Sequence, residues 1–374
     1  MRLFFVLIFF VNFLVCGVVC GHVYDLLKPF RLKYAIIGLF ILCSLALILS
    51  RTWGKALPLE LNAFIARLGY CWMALMPYAL VWSFLCLVLR IFKWQPVLET
   101  HRLYFFLGET FICLLILSLG SYLAYHPIIR HYQIQTPKHI SLKAVHITDV
   151  HLGFMNTEGM FNRIVAKIEA LEPDILLITG DFLENERSYA MLNDLGRALR
   201  KTNFPLGIWA VKGNHEYIAG IDQSAQYMAS LGIKTLRDSS VVIDGKLLLI
   251  GREDRSVRRI SGKNPQTLTA LLDSTVENHT SVRDIIPEKL TILLTHQTPS
   301  HQEYENQNID LVLSGHTHAG QLFPFNLVVK KFNEISYGLQ KRGNAYFYVS
   351  SGAGIWGPPV RIGTYSEIVV FEIN

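Results

Sequence analysis

The sequence predicts an α/β domain over residues 143–374, preceded by an α-helical region that crosses a membrane several times. Two observations carry this prediction. Residues 1–125 contain four long apolar stretches, each close to the roughly 20 residues that a helix needs to cross a bilayer. Residues 143–374 instead alternate short apolar runs with amphipathic stretches, and five of the short runs end in a polar motif. This alternation is typical of an α/β domain whose functional site gathers at the carboxyl ends of its strands.

The four apolar stretches cover approximately residues 3–21, 34–50, 69–92 and 104–125. Arg2 precedes the first stretch as in a signal peptide, but Val-Val-Cys-Gly is a poor cleavage site, so we favour an uncleaved span. Glu109 is costly within a bilayer, and we expect it to pair with another span. The loops on the two sides carry six basic residues each, so the side that the domain faces stays open. Residues 126–142 are expected to form a short tether.

The positive charge of the chain lies in its membrane region. Residues 1–142 hold 12 Lys and Arg against 4 Asp and Glu, a net of +8, whereas residues 143–374 hold 23 against 25, a net of −2. A catalytic domain that binds nucleic acid is expected to carry the positive excess itself, so a nucleic-acid partner is not expected. All six cysteines lie before residue 114, which excludes a disulfide framework from the domain.

The apolar runs also place the elements of the domain. Strands are predicted near residues 143–148, 175–179, 207–211, 291–294 and 310–313, with additional sheet near 240–251, 345–350 and 366–372. Helices are predicted near residues 157–171 and 186–201.

A polar motif lies at the end of each of the five main strands. In chain order the motifs are Asp149-Val150-His151, Gly180-Asp181, Gly213-Asn214-His215-Glu216, Thr295-His296 and Gly315-His316-Thr317-His318. Carboxylate, amide and imidazole groups bind divalent ions, and imidazole-rich sets suit Zn, Fe, Mn or similar ions. Because the carboxyl ends of such strands meet at one edge, the sequence predicts a metal site and metal-assisted hydrolysis.

The order of these motifs resembles that of the calcineurin-like metallophosphoesterase family. The resemblance covers residues 143–374, and the strings over residues 148–153 and 314–321 are similar in particular to the membrane-attached bacterial branch of phosphohydrolases and phosphodiesterases. Ala319 stands where that branch has glycine. The resemblance implies a four-layer α/β/β/α sandwich of two mixed sheets, in an integral, multi-pass protein of the bacterial cytoplasmic membrane.

The resemblance also implies a role for each motif residue. Two divalent ions (Mn, Fe, Zn or Co) would be bound, and a hydroxide that bridges them would attack the phosphoester. The implied ligands are Asp149, His151 and His318 for the first ion, Asn214, His296 and His316 for the second, and Asp181 for both.

Two further residues of the third motif are expected to act without binding metal. The resemblance places His215 near the leaving oxygen, as the catalytic proton donor or as a charge stabiliser. Glu216 either orients His215 or serves the N-terminus of the following helix.

We therefore expect a membrane-anchored dimetal phosphohydrolase that acts on phosphodiesters or on lipid-linked phosphates or pyrophosphates. A catalytically silent metal-binding signalling protein of the membrane and a nuclease of the same family remain as alternatives. The sequence leaves open the substrate itself, the metal identity and the oligomeric state. The apolar segment Leu322-Phe323-Pro324-Phe325 is most simply explained by core packing; if exposed, it would lie at the bilayer surface beside the site.

Overall fold

A computed structural model describes residues 2–138, 140–184, 187–277, 280–298, 300–304 and 306–374. The chain divides into two compact units. The first contains residues 1–122 and Gly357–Val360, and the second contains Leu123–Trp356 and Arg361–Asn374.

The first unit is helical, as expected from its long apolar stretches. Four of its helices are long and apolar enough to cross a membrane. Its polar side chains pair inside the helix bundle: Glu109 lies 3.1 Å from Nε2 of His22, and Trp72 donates a hydrogen bond to Asn12. Such pairing lowers the cost of holding polar groups in an apolar region. The helices are α1 (Arg2–Leu26), α2 (Leu32–Trp53), α3 (Leu59–Ile91), α4 (Gln95–Thr100) and α5 (Arg102–Tyr125).

Two six-stranded sheets form the centre of the second unit. The first has the order β1-β14-β2-β3-β4-β5, and the second β12-β13-β11-β10-β7-β6. The strands are β1 (Ile128–Ile134), β2 (Leu142–Ile147), β3 (Ile175–Thr179), β4 (Ile208–Val211), β5 (Ile233–Thr235), β6 (Ser239–Ile243), β7 (Leu247–Gly251), β8 (Thr275–Glu277), β9 (Thr280–Ser281), β10 (Leu290–Leu294), β11 (Leu311–Ser314), β12 (Gly338–Arg342), β13 (Ala345–Val349) and β14 (Glu367–Ile373). Strands β8 and β9 form a separate antiparallel two-stranded sheet.

Both sheets are mixed. In the first, β2, β3, β4 and β5 run parallel while β14 runs antiparallel to β2. In the second, β7, β10, β11 and β13 run parallel, and the edge strands β6 and β12 are antiparallel. The predicted α/β class with two mixed sheets is confirmed.

The segment expected to be a tether is part of the first sheet. Strand β1 pairs in parallel with β14 from Ile128 to Ile134, and Ile134 is fully buried. The pairing satisfies the backbone groups of this segment. From Ile128 to Gln133 its side chains alternate between half-buried and exposed, so its sequence gives little sign of a strand.

Alternation along the strands of the second sheet creates two apolar layers. Leu247 and Leu249 of β7 join a core that includes Ala144 and Leu177 of the first sheet. Leu248 and Ile250 point to the opposite face, with Leu271 and other helical residues. The period of two therefore builds one core between the sheets and another beneath the helices.

The helices of the second unit are mostly short. They are α6 (Glu158–Glu169), α7 (Arg187–Leu192), α8 (Asn214–Ala219), α9 (Ile221–Ser230), α10 (Val257–Ser261), α11 (Leu268–Leu272), α12 (Val282–Ile285), α13 (His301–Tyr304) and α14 (Phe325–Phe332). The helix expected over residues 186–201 is instead α7 and a 3₁₀ turn at Arg197–Lys201. Residue 186 itself lies outside the described residues.

Candidate metal centre

The five motifs follow parallel strands of both sheets, four of them in loops and the third at the start of helix α8. Strands β2, β3 and β4 of the first sheet lead into the first three motifs, and β10 and β11 of the second sheet lead into the last two. The structure gathers the carboxylate and imidazole groups of these loops into three overlapping groups, with ligand-type atoms within 4.8 Å of one another in each. The groups are Asp149, His151 and His318; His151, Asp181 and His215; and Asp181, His296 and His316.

The backbone of these loops is turned sharply at the motif residues. Five of them have positive φ angles in the left-handed region: Asp149 (53°), His151 (48°), Asp181 (49°), His316 (74°) and His318 (49°). This conformation costs a residue other than glycine on the order of 1–3 kcal/mol and is concentrated at functional sites. The fold therefore holds these side chains in directions that an unstrained loop would not give them.

Glycine 315 permits the close approach of two of the loops. A Cβ atom at this position would collide with Oδ2 of Asp149 and with Oγ1 of Thr148. Oδ2 of Asp149 instead accepts the backbone N–H of His316, at 2.9 Å. The missing side chain thus lets the loop after β11 fix the carboxylate after β2.

In the first group, one carboxylate oxygen and two imidazole nitrogens converge on one point. Oδ1 of Asp149 is buried and accepts no hydrogen bond from any described residue. It lies 3.5 Å from Nε2 of His318 and 3.8 Å from Nε2 of His151, and those two nitrogens are 3.1 Å apart. Three such atoms facing one point suit a cation between them, because ligating imidazole must be neutral and carboxylate ionised.

The second group is arranged in the same way around His296. Its Nδ1 lies 2.8 Å from the carbonyl oxygen of Thr179, which only accepts, so the ring proton is on Nδ1. The remaining nitrogen, Nε2, then faces Oδ2 of Asp181 at 3.1 Å, Oδ1 of Asn214 at 3.1 Å and Nδ1 of His316 at 3.2 Å. A divalent ion fits this set of oxygen and nitrogen donors.

Asp181 belongs to both sets of donors. Its Oδ2 lies 3.1 Å from Nε2 of His296 and 3.7 Å from Nε2 of His151, while Oδ1 accepts the backbone N–H of His215. Burial alone would raise the pKa of the Asp181 carboxyl, but His296 and His215 hold it well below its usual range. A charged carboxylate is therefore shared between two neighbouring sites.

The chain is similar to proteins named as metallophosphoesterases. A family model for calcineurin-like phosphoesterases matches residues 142–320. An uncharacterized metallophosphoesterase of Helicobacter pylori is 36% identical over 236 residues, which cover 62% of this chain and 60% of that protein. Another, from Aquifex aeolicus, is 31% identical over 269 residues, which cover 71% of this chain and 98% of that protein. The chain belongs to the calcineurin-like phosphoesterase family.

Other matches extend this comparison. A protein of Bos taurus named as a transmembrane protein with metallophosphoesterase domain is 31% identical over 238 residues, 62% of this chain and 53% of that protein. The crystal structure of a 5'-nucleotidase precursor from Thermus thermophilus is 14% identical, with a TM-score of 0.34, and covers 62% of this chain and 55% of that one. Membership of the family confirms the predicted class, a metal-dependent phosphoesterase. The named bovine relative and the four apolar helices support association with a membrane.

Sequence reasoning missed Glu184, whose carboxylate lies between the rings of His151 and His215. Its Oε1 lies 2.8 Å from Nδ1 of His215, and its Oε2 lies 3.0 Å from Nδ1 of His151. The carboxylate accepts a hydrogen bond from His215 and lies against Nδ1 of His151, so Nε2 of each ring is directed toward the donor groups. The only signal in the sequence was its position three residues after Asp181 in the same loop.

His215 is buried among carboxylates at the edge of the centre. Burial alone would lower its pKa, but the Glu184 and Asp181 carboxylates raise the pKa to about 10. Bound cations would oppose this effect, because a metal ion is the largest charge in such a site. The Nε2 atom of His215 lies 4.0 Å from Oδ2 of Asp181, so the ring borders the donor atoms.

Glu216 does not orient His215. Its carboxylate accepts the backbone N–H groups of Asp181 at 3.0 Å, Leu183 at 2.9 Å and Gly213 at 2.7 Å. The second expectation, a role at the N-terminus of helix α8, is therefore the correct one. Burial, followed by repulsion from Asp181, raises the pKa of Glu216 to about 7.

A fully buried arginine lies behind the last motif. Arg361 donates hydrogen bonds to the carbonyl oxygens of Ser351 at 2.5 Å, Gly354 at 2.8 Å and His318 at 3.3 Å. Burial lowers its pKa to about 10, which still leaves the guanidinium charged at neutral pH. It joins the loop after β13 to the residue that completes the first donor group.

Proposed function

We propose that this phosphoesterase is a membrane-anchored phosphohydrolase that uses two divalent ions to cleave phosphodiesters or lipid-linked phosphates or pyrophosphates. One observation carries the proposal. The carboxylate of Asp181 is shared by two sets of donor atoms that otherwise have separate members, as a bridging ligand between two ions requires.

The proposed ligands follow the two sets of donors. Neutral imidazoles are the ligating form. Burial and the neighbouring rings lower the pKa of His316 and His318, which favours that form. Burial alone would also lower the pKa of His296, but the Asp181 carboxylate raises this pKa, an effect that a bound cation would oppose. The donor types suit Mn, Fe, Zn or Co. We assign Asp149, His151 and His318 to one ion, Asn214, His296 and His316 to the other, and Asp181 to both.

The bound ions would supply Lewis-acid polarisation of the phosphate and a water of lowered pKa. The chain itself supplies a positioned proton. Because Glu184 accepts from Nδ1 of His215, the ring can hold a proton on Nε2 at the border of the donor atoms. His215 is proposed to pass this proton to the leaving oxygen. The burial of His151, Asp181 and His296 keeps bulk water away from these charges.

Anchoring determines which substrates the domain meets. We propose that residues 1–125 form a multi-pass membrane region and that residues 143–374 form the catalytic domain. Strand β1, from the connecting segment 126–142, adds to the first sheet of this domain. Four apolar helices in the same chain hold the domain near a bilayer, where lipid-linked phosphoesters are concentrated. The net charge of −2 over residues 143–374 disfavours nucleic acid as the substrate.

Hydrolysis by the full-length chain in nanodiscs tests this function. The protein is stripped of metal, supplied with Mn²⁺ or Zn²⁺, and assayed on paired chromogenic monoesters and diesters. We expect metal to restore activity, and His215→Ala to lower kcat by roughly 10²–10⁴-fold. His301→Ala is the matched control, since His301 pairs with Glu334 outside the centre. A folded, metal-loaded wild type no more active than Asp181→Ala would contradict the proposal.

A further inference from the structure

Helix α14 follows the last metal-centre motif and is strongly amphipathic. Its sequence is Phe-Asn-Leu-Val-Val-Lys-Lys-Phe, and at 100° per residue Phe325, Val328, Val329 and Phe332 share one face. Asn326, Lys330 and Lys331 lie on the other sides together with one apolar residue, Leu327, and the helix contains no acidic residue. Such a pattern normally marks a helix that buries its apolar face in a protein core.

The apolar face of α14 is instead turned outward. All eight residues of the helix are described, and none of them is buried. The side chains of Phe325, Val328 and Phe332 are 48%, 49% and 77% exposed, and Phe323 just before the helix is 49% exposed. Of the segment expected to be either core or bilayer contact, Leu322 alone packs inside. An exposed apolar face of this kind marks an interaction site.

The helix is held firmly beside the metal centre. It packs against the 3₁₀ turn His318–Gly320, which contains a proposed metal ligand. Just before the helix, the backbones of Leu322 and Ile362 form an isolated β-bridge, and the N–H of Phe323 donates to the carbonyl oxygen of Ile362 at 2.9 Å. The outward face therefore belongs to a fixed element and not to a loose loop.

The side chains of the exposed face of α14 indicate what it binds. Aromatic and branched aliphatic side chains lie beside Lys330 and Lys331, and both lysines are exposed. A helix that lies in the interface of an anionic bilayer has this composition. The chain has four helices able to cross a membrane, and these would keep the domain close to a bilayer. We propose that α14 inserts its apolar face among the headgroups of this bilayer, with the two lysines on lipid phosphates.

This docking would bring the metal centre to the headgroup layer. Because α14 packs on the turn that contains His318, the donor groups would approach phosphoesters that remain in the bilayer. This consequence rests on the proposed phosphohydrolase activity, whereas the docking of the helix rests only on the association of the chain with a membrane.

Photo-crosslinking in the full-length chain tests the docking. Phe332 is replaced by p-benzoylphenylalanine, a conservative aromatic change at a side chain that is 77% exposed. The protein is reconstituted in vesicles of phosphatidylcholine with or without phosphatidylglycerol, irradiated, and analysed by mass spectrometry for adducts. Leu192 on α7, 76% exposed, receives the same probe as the matched control.

We expect lipid adducts at position 332, few at position 192, and a higher yield with phosphatidylglycerol. The double variant Lys330→Gln/Lys331→Gln should lower the yield in anionic vesicles severalfold, since each basic residue near such a surface contributes roughly fivefold in affinity. Any of four results would overturn the proposal. These are equal lipid adducts at both positions, adducts to a second copy of the chain, no adduct at position 332, and a yield that does not change when the lysines are replaced. Cross-linking needs no turnover, so lipid adducts on an inactive chain would count against the proposed function alone.

Discussion

Glu184→Gln offers a quantitative test of how the centre is organised. The carboxylate accepts a hydrogen bond from Nδ1 of His215 at 2.8 Å, and its other oxygen lies 3.0 Å from Nδ1 of His151. A glutamine of the same shape is neutral. It keeps one acceptor oxygen and presents an NH₂ group to the other ring, so neither ring keeps a charge-assisted contact and one contact is lost. Such bonds contribute about 1.5–3 kcal/mol. At 1.36 kcal/mol for each tenfold in rate, kcat/KM should fall by roughly 10–150-fold.

The assay is chromogenic ester hydrolysis by the full-length chain, with bound metal measured on the same samples. Loss of kcat with full metal content would show that the bond to His215 is the one broken, and loss of metal would indicate His151. Glu334→Gln is the matched control, because Glu334 pairs with His301 away from the centre. A change below threefold in Glu184→Gln, or one equal to that of the control, would refute the reasoning.

Three further substitutions test other parts of the structure. Asp181→Asn removes the shared charge and should reduce bound metal from two ions to fewer than one per chain, measured by elemental analysis; two retained ions would contradict a bridging role. Gly315→Ala places a methyl group against Oδ2 of Asp149 and should cost about 100-fold in activity, whereas Gly159→Ala, with nothing within 4 Å, should be silent; equal effects would exclude the packing argument. Arg361→Met leaves the carbonyl oxygen of Ser351 unsatisfied and leaves that of Gly354 with only the 3.5 Å bond from Ser366, so it should lower the free energy of unfolding by about 1–3 kcal/mol in denaturant titrations; a loss under about 1 kcal/mol would contradict it.

Much of the fold was predictable because apolar runs of strand length end at polar motifs. Strand β3 lies at Ile175–Thr179, as predicted, and the other strands of the five differ by a residue or so at their ends. Strand β1 was not predictable. Its partner β14 lies at the far end of the chain, and half-buried side chains between two prolines resemble a linker.

The candidate site was predictable in its membership but not in its geometry. Motif order identified the seven proposed ligands and His215, and the structure brings them together, while their roles stay a proposal. Glu184 was not predicted as a site residue, because a glutamate in a loop is most often solvated. Only the fold places it between two imidazoles. Left-handed backbone at five motif residues is likewise a product of tertiary packing and leaves no local sign.

The most direct test of the account is anomalous diffraction from crystals of the full-length chain loaded with Mn²⁺. The account predicts two anomalous peaks about 3.5–4 Å apart, with the carboxylate of Asp181 between them. One peak should lie beside Asp149 and the other beside His296. A single peak, or two peaks that do not share Asp181, would contradict a dinuclear centre.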